Sequence, residues 1–226
     1  MKKLFWQCYI HWAEQMTWDN LLTNSPYFRS GLFIGLFVVF LGGCAGSPPK
    51  KVNNACSIFD EKNGWYKKAR KASKRWKTPI HVNMAIMHQE SRFISKAKPP
   101  RTKILWVIPG PRKSSAYGYA QAKDETWRWY KRSSGHRGAD RNDFDDAIDF
   151  VAWYNNVSVK KLGLSPDDAY SLYLAYHEGH GGFQRGTYKS KTWLLTVARK
   201  VQQQALNYHQ QLSKCEDRLK GSWWPF

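Results

Sequence analysis

A chain of 226 residues with 42% hydrophobic content has room for one ordinary folded domain plus a targeting segment, and is too apolar to be disordered. Its 12 Trp and 12 Tyr make it unusually aromatic; such rings fill helical cores and also stack on sugars or bases, so composition alone does not choose between these uses. Of the formal net charge of +19, residues 1–43 hold only +1 (Lys2, Lys3 and Arg29 against Glu14 and Asp19), so +18 belongs to the rest and draws polyanions.

In chain order, Gly31 to Gly43 is an apolar run too short for a permanent membrane helix. It ends in Leu41-Gly42-Gly43-Cys44, which resembles a bacterial lipobox. The resemblance implies a lipoprotein signal peptide over residues 1–43, with Cys44 lipidated as the mature N-terminus and the chain facing the periplasm. Ala45 stands where Asp marks inner-membrane retention in some bacteria, which points to the outer membrane. Cys8 goes with the leader. Cys56 and Cys215 are then an even pair in an oxidising compartment, and are expected to form a disulfide near the two ends of the globular region. Residues 44–55, with Pro48-Pro49 and Lys50-Lys51, read as the lipidated N-terminus and a tether; the domain is expected over 56–216 and a tail over 217–226.

From Ser57 onward the apolar period is helical, with Trp65, Ala69, Ala72 and Trp76 on one stripe. Thr78-Pro79 predicts a helix start, Thr as N-cap and Pro at the first position. That helix carries Val82, Ala85, Ile86, Gln89 and Phe93 on one face, and Glu90 at the edge of the stripe, where a carboxyl lines a cleft wall partly out of water. Lys98 to Ser115 breaks the pattern: Pro99, Pro100, Pro109, Gly110 and Pro111 predict a long basic loop around the apolar 104–108 patch. Helical patterning resumes over Asp143–Asn155, with Phe144, Ile148, Val151 and Ala152 inward. Ser165-Pro166-Asp167-Asp168 predicts a further capped start, with acids in the first turn, for a helix running towards Tyr176. Leu194, Val197, Val201, Tyr208 and Leu212 mark a terminal helix ending near Cys215. No stretch alternates as a strand does, so the expected fold class is mainly α.

Three separated segments stand out: Met87-His88-Gln89-Glu90-Ser91-Arg92-Phe93, Ser115-Ala116-Tyr117-Gly118-Tyr119-Ala120-Gln121, and Ala175-Tyr176-His177-Glu178-Gly179-His180-Gly181-Gly182. In this order and on helical elements they resemble the lytic transglycosylase (SLT) domain and its relative, goose-type lysozyme. That family has a Glu-Ser at a helix end, then Gly-hydrophobic-Met-Gln, then Ala-Tyr-Asn-Ala-Gly. The leader and Pro-rich loop are similar to an SLT-like lipoprotein subfamily.

The resemblance implies a lysozyme-like helical domain that cleaves the peptidoglycan bond between N-acetylmuramic acid and N-acetylglucosamine, leaving 1,6-anhydro ends. It implies Glu90 as general acid and base, and Ser115, Tyr117, Gly118, Gln121, Tyr176, His177 and Glu178 around the substrate. Gly118 would let backbone approach the sugar, Gln121 would supply amide hydrogen bonds, and Tyr176 would reach the acetamido group or Glu90, if it is not simply a core residue on the Tyr170–Tyr173–Tyr176 stripe. A single carboxylate suffices where the substrate's own acetamido group stabilises the developing charge.

This chain departs from the family in His177-Glu178 for Asn-Ala, in Ala120 for Met, and in a longer gap from Glu90 to Gly118. Glu178 is therefore a second candidate acid. His177-Glu178-Gly179-His180 has histidines three apart rather than four and glycines that would end the helix, so no metal and no cofactor are expected. The expected partners are glycan strands and, through the anchor, a membrane; no nucleic acid is expected, despite the charge. Two alternatives remain open at the level of sequence: a non-catalytic peptidoglycan-binding lipoprotein and a lysozyme-like muramidase.

Overall fold

Six consecutive residues of the helix bearing Glu90, Val82 through Met87, are buried, and a helix covered on nearly every side must run through the centre of its domain. The computed structural model describes residues 46–104 and 108–221. The apolar run before Gly43, the lipobox with Cys44, and Cys8 lie outside the described residues. In order come α1 (Ala55–Glu61), α2 (Trp65–Trp76), α3 (Ile80–Ser91), β1 (Arg101–Ile104), β2 (Ile108–Arg112), α4 (Asp124–Ser134), α5 (Phe144–Leu162), α6 (Ala169–Gln184) and α7 (Thr192–Leu219). The fold is mainly α, consistent with a lysozyme-like helical domain. Among the described residues no helix is long and apolar enough to cross a membrane.

The central helix α3 packs against α7, α5, α6 and α2, while α2 lies along α5 and α6 bridges α5 and α7. Gln89, expected on the buried stripe, is exposed; Phe93 is fully buried, but beyond the helix end. Thr78 is not the N-cap either. Helix α3 starts at Ile80 after Pro79, and Thr78 is buried, its hydroxyl accepting from Asn83 Nδ2 at 3.0 Å. Asn83 Oδ1 accepts in turn from Asn155 Nδ2 at 2.9 Å, tying α3 to α5 through a buried polar chain.

Local chemistry sets the other starts. Asn54 caps α1 through Ser57 N–H, Asp143 caps α5 through the N–H groups of Asp145 and Asp146, and Asp168 caps α6 through Ser171 N–H. The acids before α6 thus lie at and ahead of its cap rather than in its first turn. Helix α5 runs seven residues beyond the expected Asn155, and α4 was not anticipated at all. Its apolar signal is two buried rings, Trp127 and Tyr130, in an otherwise charged run.

The basic loop is a two-stranded antiparallel hairpin with register Arg101↔Arg112, Lys103↔Pro109 and Ile104↔Ile108. A two-stranded ribbon leaves each strand one free edge, so prolines are tolerated there that a central strand would exclude. The expected tether is also docked. Tyr208 O–H donates to the Val52 carbonyl, Gln211 Nε2 to the Asn53 carbonyl at 3.2 Å, and Lys62 Nζ to the Ser47 carbonyl at 2.6 Å. These three carbonyls are held by α7 and by Lys62 at the end of α1, so the segment is packed on the domain from Ser47 onward. At the other end α7 continues to Leu219, past the expected boundary at 216.

Cys56 and Cys215 are joined by a disulfide, 159 residues apart in sequence, which fixes α1 to the last turns of α7. Much of the aromatic content lies in the core. Trp65 stacks on Phe144 at 3.7 Å between centroids, and Trp127, Tyr130, Phe150, Trp153 and Tyr154 fill the space between α4 and α5.

Candidate active site

Glu90 is the penultimate residue of α3, and the turn that follows is unusual. Arg92 and Phe93 both have positive φ, 51° and 63°, a left-handed conformation that non-glycine residues adopt at a cost. Three contacts hold it. Arg92 N–H reaches the His88 carbonyl at 2.9 Å, Ser91 Oγ accepts from Phe93 N–H at 3.1 Å, and the Phe93 ring lies between His88 and Trp65 in the core. The Ser of the Glu-Ser pair is therefore a turn-former. It ends the helix sharply and leaves Glu90 at the mouth.

Glu90 faces a cleft of about 350 Å³ whose walls include Gln121, Phe150, Tyr154, Tyr176 and Glu178. Burial pushes its carboxyl up to about 8, against the opposing hydrogen bond from the Tyr173 hydroxyl. At neutral pH roughly nine-tenths of such a group carries its proton. Spacing alone does not reveal that Tyr173, rather than Tyr176, is the tyrosine whose hydroxyl works to lower the Glu90 pKa.

Tyr176 lines the cleft with its ring, packed edge-on to Tyr154 at 5.2 Å. Its hydroxyl donates at 2.6 Å to the carbonyl of Ala120, locking α6 to the 115–123 loop rather than reaching Glu90. Ala120, where the family has Met, is fully buried.

The second motif departs further from expectation. Gly118 is buried with φ +79°, and a Cβ there would stand 2.0 Å from the Arg141 carbonyl oxygen. The close approach it permits is to backbone of this chain, not to a sugar. Gln121 borders the cleft, but its Nε2 donates to the carbonyls of Ala97 and Gly118, each at 2.9 Å, so its amide hydrogens hold the loop. Ser115 Oγ accepts from Asp124 N–H at 3.1 Å at the start of α4. Ser115 and Tyr117 line an adjoining pocket that meets the Glu90 cleft at Ala116.

Glu178 is different in kind from Glu90. Lys191 Nζ lies 2.7 and 2.8 Å from its two oxygens, Thr187 O–H donates to it, and His177 Nδ1 is 3.0 Å away. Burial works to raise its pKa, but these partners outweigh that and hold it at about 2. It is a charged anchor for the cleft rim and has no proton to give at neutral pH. His180 turns the other way: Nε2 is 3.0 Å from Ser158 Oγ and the ring stacks on Tyr154 at 4.7 Å. The zinc arrangement weighed for His177, Glu178 and His180 is not assembled, and among the described residues no other cluster would hold a metal.

The sequence reading missed the cleft walls Phe150 and Tyr154. It also missed Trp193, at the start of α7, which is 57% exposed and packs edge-on against the cleft-lining His177, with centroids 5.2 Å apart. Its position two residues after Lys191, the partner of Glu178, puts it there.

A mainly helical, lysozyme-like domain with one carboxyl whose pKa is raised by burial, facing an open cleft, defines the class. The family model described as the transglycosylase SLT domain matches residues 32–215, most of the chain, and the chain belongs to that family. Membership places it among the peptidoglycan lytic transglycosylases. No curated protein matches the sequence.

Proposed function

We propose that this protein cleaves the β-1,4 bond between N-acetylmuramic acid and N-acetylglucosamine in peptidoglycan, with Glu90 as general acid and then general base. The observation that carries the reading is the contrast between two carboxyls of one cleft, Glu90 pushed up to about 8 and Glu178 held at about 2. Glu90 gives its proton to the glycosidic oxygen as the bond to C1 breaks. The acetamido group of the muramoyl residue supports the positive charge at C1. Glu90, now a carboxylate, takes the proton of the C6 hydroxyl, whose oxygen bonds to C1 and closes the 1,6-anhydro ring without water. The apolar walls, Phe150, Tyr154 and Tyr176, favour this order because they keep Glu90 protonated until the substrate arrives. Trp193 offers an exposed aromatic face for a sugar further along the strand.

The enzyme acts, on this reading, as a lipoprotein anchored through Cys44 at the outer membrane and facing the periplasm. The sequence around Leu41–Cys44 supports it, and since Ser47 is docked on the domain and lies three residues after Cys44, the anchor could stand at most about 10 Å from it. Cys44→Ser should abolish incorporation of a fatty-acid label; equal labelling of both forms rules the anchor out. Mass spectrometry of fragments released from purified sacculi tests the chemistry. Anhydromuramoyl ends are expected. Reducing ends would make the protein a muramidase, and no fragments would make it a binding lipoprotein.

A further inference from the structure

The long segment between Glu90 and Gly118 builds something besides a connection. Lys98, Arg112 and Arg141 converge with Ser115 and Tyr117 on a pocket of about 320 Å³ that shares Ala116 with the Glu90 cleft. Arg112 comes from the end of the hairpin and is held by its donation to the Pro99 carbonyl. Arg141 is fixed by donations to the carbonyls of Ser115 at 3.1 Å and Ala122 at 2.9 Å, and by an ion pair with Asp124 at 2.8 Å. Lys98 Nζ and Arg141 Cζ lie 5.3 and 5.4 Å from the centre of the Tyr117 ring. Asp124 answers Arg141, and among the described residues neither Lys98 nor Arg112 is ion-paired.

The pocket therefore carries uncompensated positive charge beside a cleft whose substrate backbone, an N-acetylated glycan, is neutral. The sugars give such charge nothing to bind. The anions of the same polymer are the carboxylates of the peptide stem linked through the lactyl group of each muramoyl residue. We propose that this pocket is a carboxylate subsite for that peptide stem, so that the protein selects strands whose peptides are still attached. This rests on the peptidoglycan reading above and adds to it a preference set by the stem rather than by the glycan. A tethered Arg and a Lys set beside an aromatic face suit a carboxylate on a flexible peptide, which needs charge at the end of a short apolar approach.

The test uses the full-length protein and three probes: glycan strands with native peptide stems, the same strands stripped of peptides by an amidase with the freed lactyl carboxyls then capped as neutral methylamides, and strands whose stem carboxylates are amidated. In the double variant Lys98→Ala/Arg112→Ala, KM for native strands should rise about tenfold with kcat within about twofold, as loss of two charge-assisted contacts at a solvated pocket predicts. KM for stripped and for amidated strands should be unchanged. The pair Lys98→Arg/Arg112→Lys should restore most of the native-strand KM. Arg141 is left alone because it holds backbone. An equal rise on native and stripped strands, or no rise on native ones, overturns the subsite; so does a wild-type preference that survives amidation. Fluorescence anisotropy with labelled strands separates this from the catalytic reading. Wild type that binds native strands more tightly than amidated ones but releases no fragments keeps the subsite and overturns the cleavage.

Discussion

On the proposed mechanism, replacing Glu90 by Gln removes the proton that reaches the leaving oxygen, and it also removes a destabilising group. The carboxyl ionises at its ordinary 4.5 when unfolded and at about 8 when folded. Because the folded value is the raised one, the native state binds the extra proton. Its stability is fully present below about pH 4.5 and is lost as pH rises towards 8. At pH 7 the shift corresponds to about 3 kcal/mol, which an unsatisfied amide in the same site offsets in part, so a gain of about 1–3 kcal/mol is expected for Glu90→Gln. For a domain of this size that raises Tm by about 3–10 °C. Calorimetry of both proteins from pH 4 to pH 9 should show the variant level with or below wild type near pH 4.5, rising relative to it up to pH 8 and running parallel above that. Over the same series, kcat/KM of wild type on sacculi should fall above about pH 8, while the variant loses at least the 10²–10⁴-fold typical of general acid–base catalysis. A melting-point difference that does not vary with pH, or a variant less stable than wild type at pH 7, refutes the buried-acid argument. Full activity in Glu90→Gln removes the catalytic assignment outright.

Glu178→Gln should behave in the opposite sense: its carboxylate contributes stability above about pH 4.5 that is lost as pH falls towards 2. The full shift of about 3 kcal/mol is reduced by solvent around the partly exposed Lys191, so the variant should lose about 2 kcal/mol at pH 7 and nothing near pH 2, read from denaturant midpoints. Gly118→Ala should cost about 3 kcal/mol or more, since a Cβ 2.0 Å from the Arg141 carbonyl is added to an unfavourable positive φ; a urea midpoint within error of wild type would refute the packing argument. Reducing the Cys56–Cys215 bridge reopens a 159-residue loop, worth at most about 5 kcal/mol in chain entropy, and should lower the melting point without changing Glu90 chemistry at permissive temperature. Peptide mapping without reductant should recover the linked fragments.

Much of the molecule was written in local chemistry. Asp143 and Asp168 mark helix starts because their side chains bond N–H groups two or three residues away, and Glu90 could be placed at a stripe edge because helical period is a local property. The pairing of Cys56 with Cys215 followed from counting. What failed depended on meetings between distant segments. Gly118 faces Arg141, 23 residues on, and Gln121 turns its amide back on Ala97; neither partner is marked in the motif that holds them. The hairpin was hidden because its prolines argue against strands in general, and only a ribbon with two free edges excuses them. The two glutamates show the division most sharply. Both are ordinary carboxyls in the sequence, and it is packing that shields Glu90 from most of the solvent with no ion-pair partner among the described residues, while Lys191, just before α7, lies against Glu178. Residue identity and spacing determined which groups were available, but a carboxyl's proton affinity depends on the solvent and charges around it, and those are set only when the helices pack.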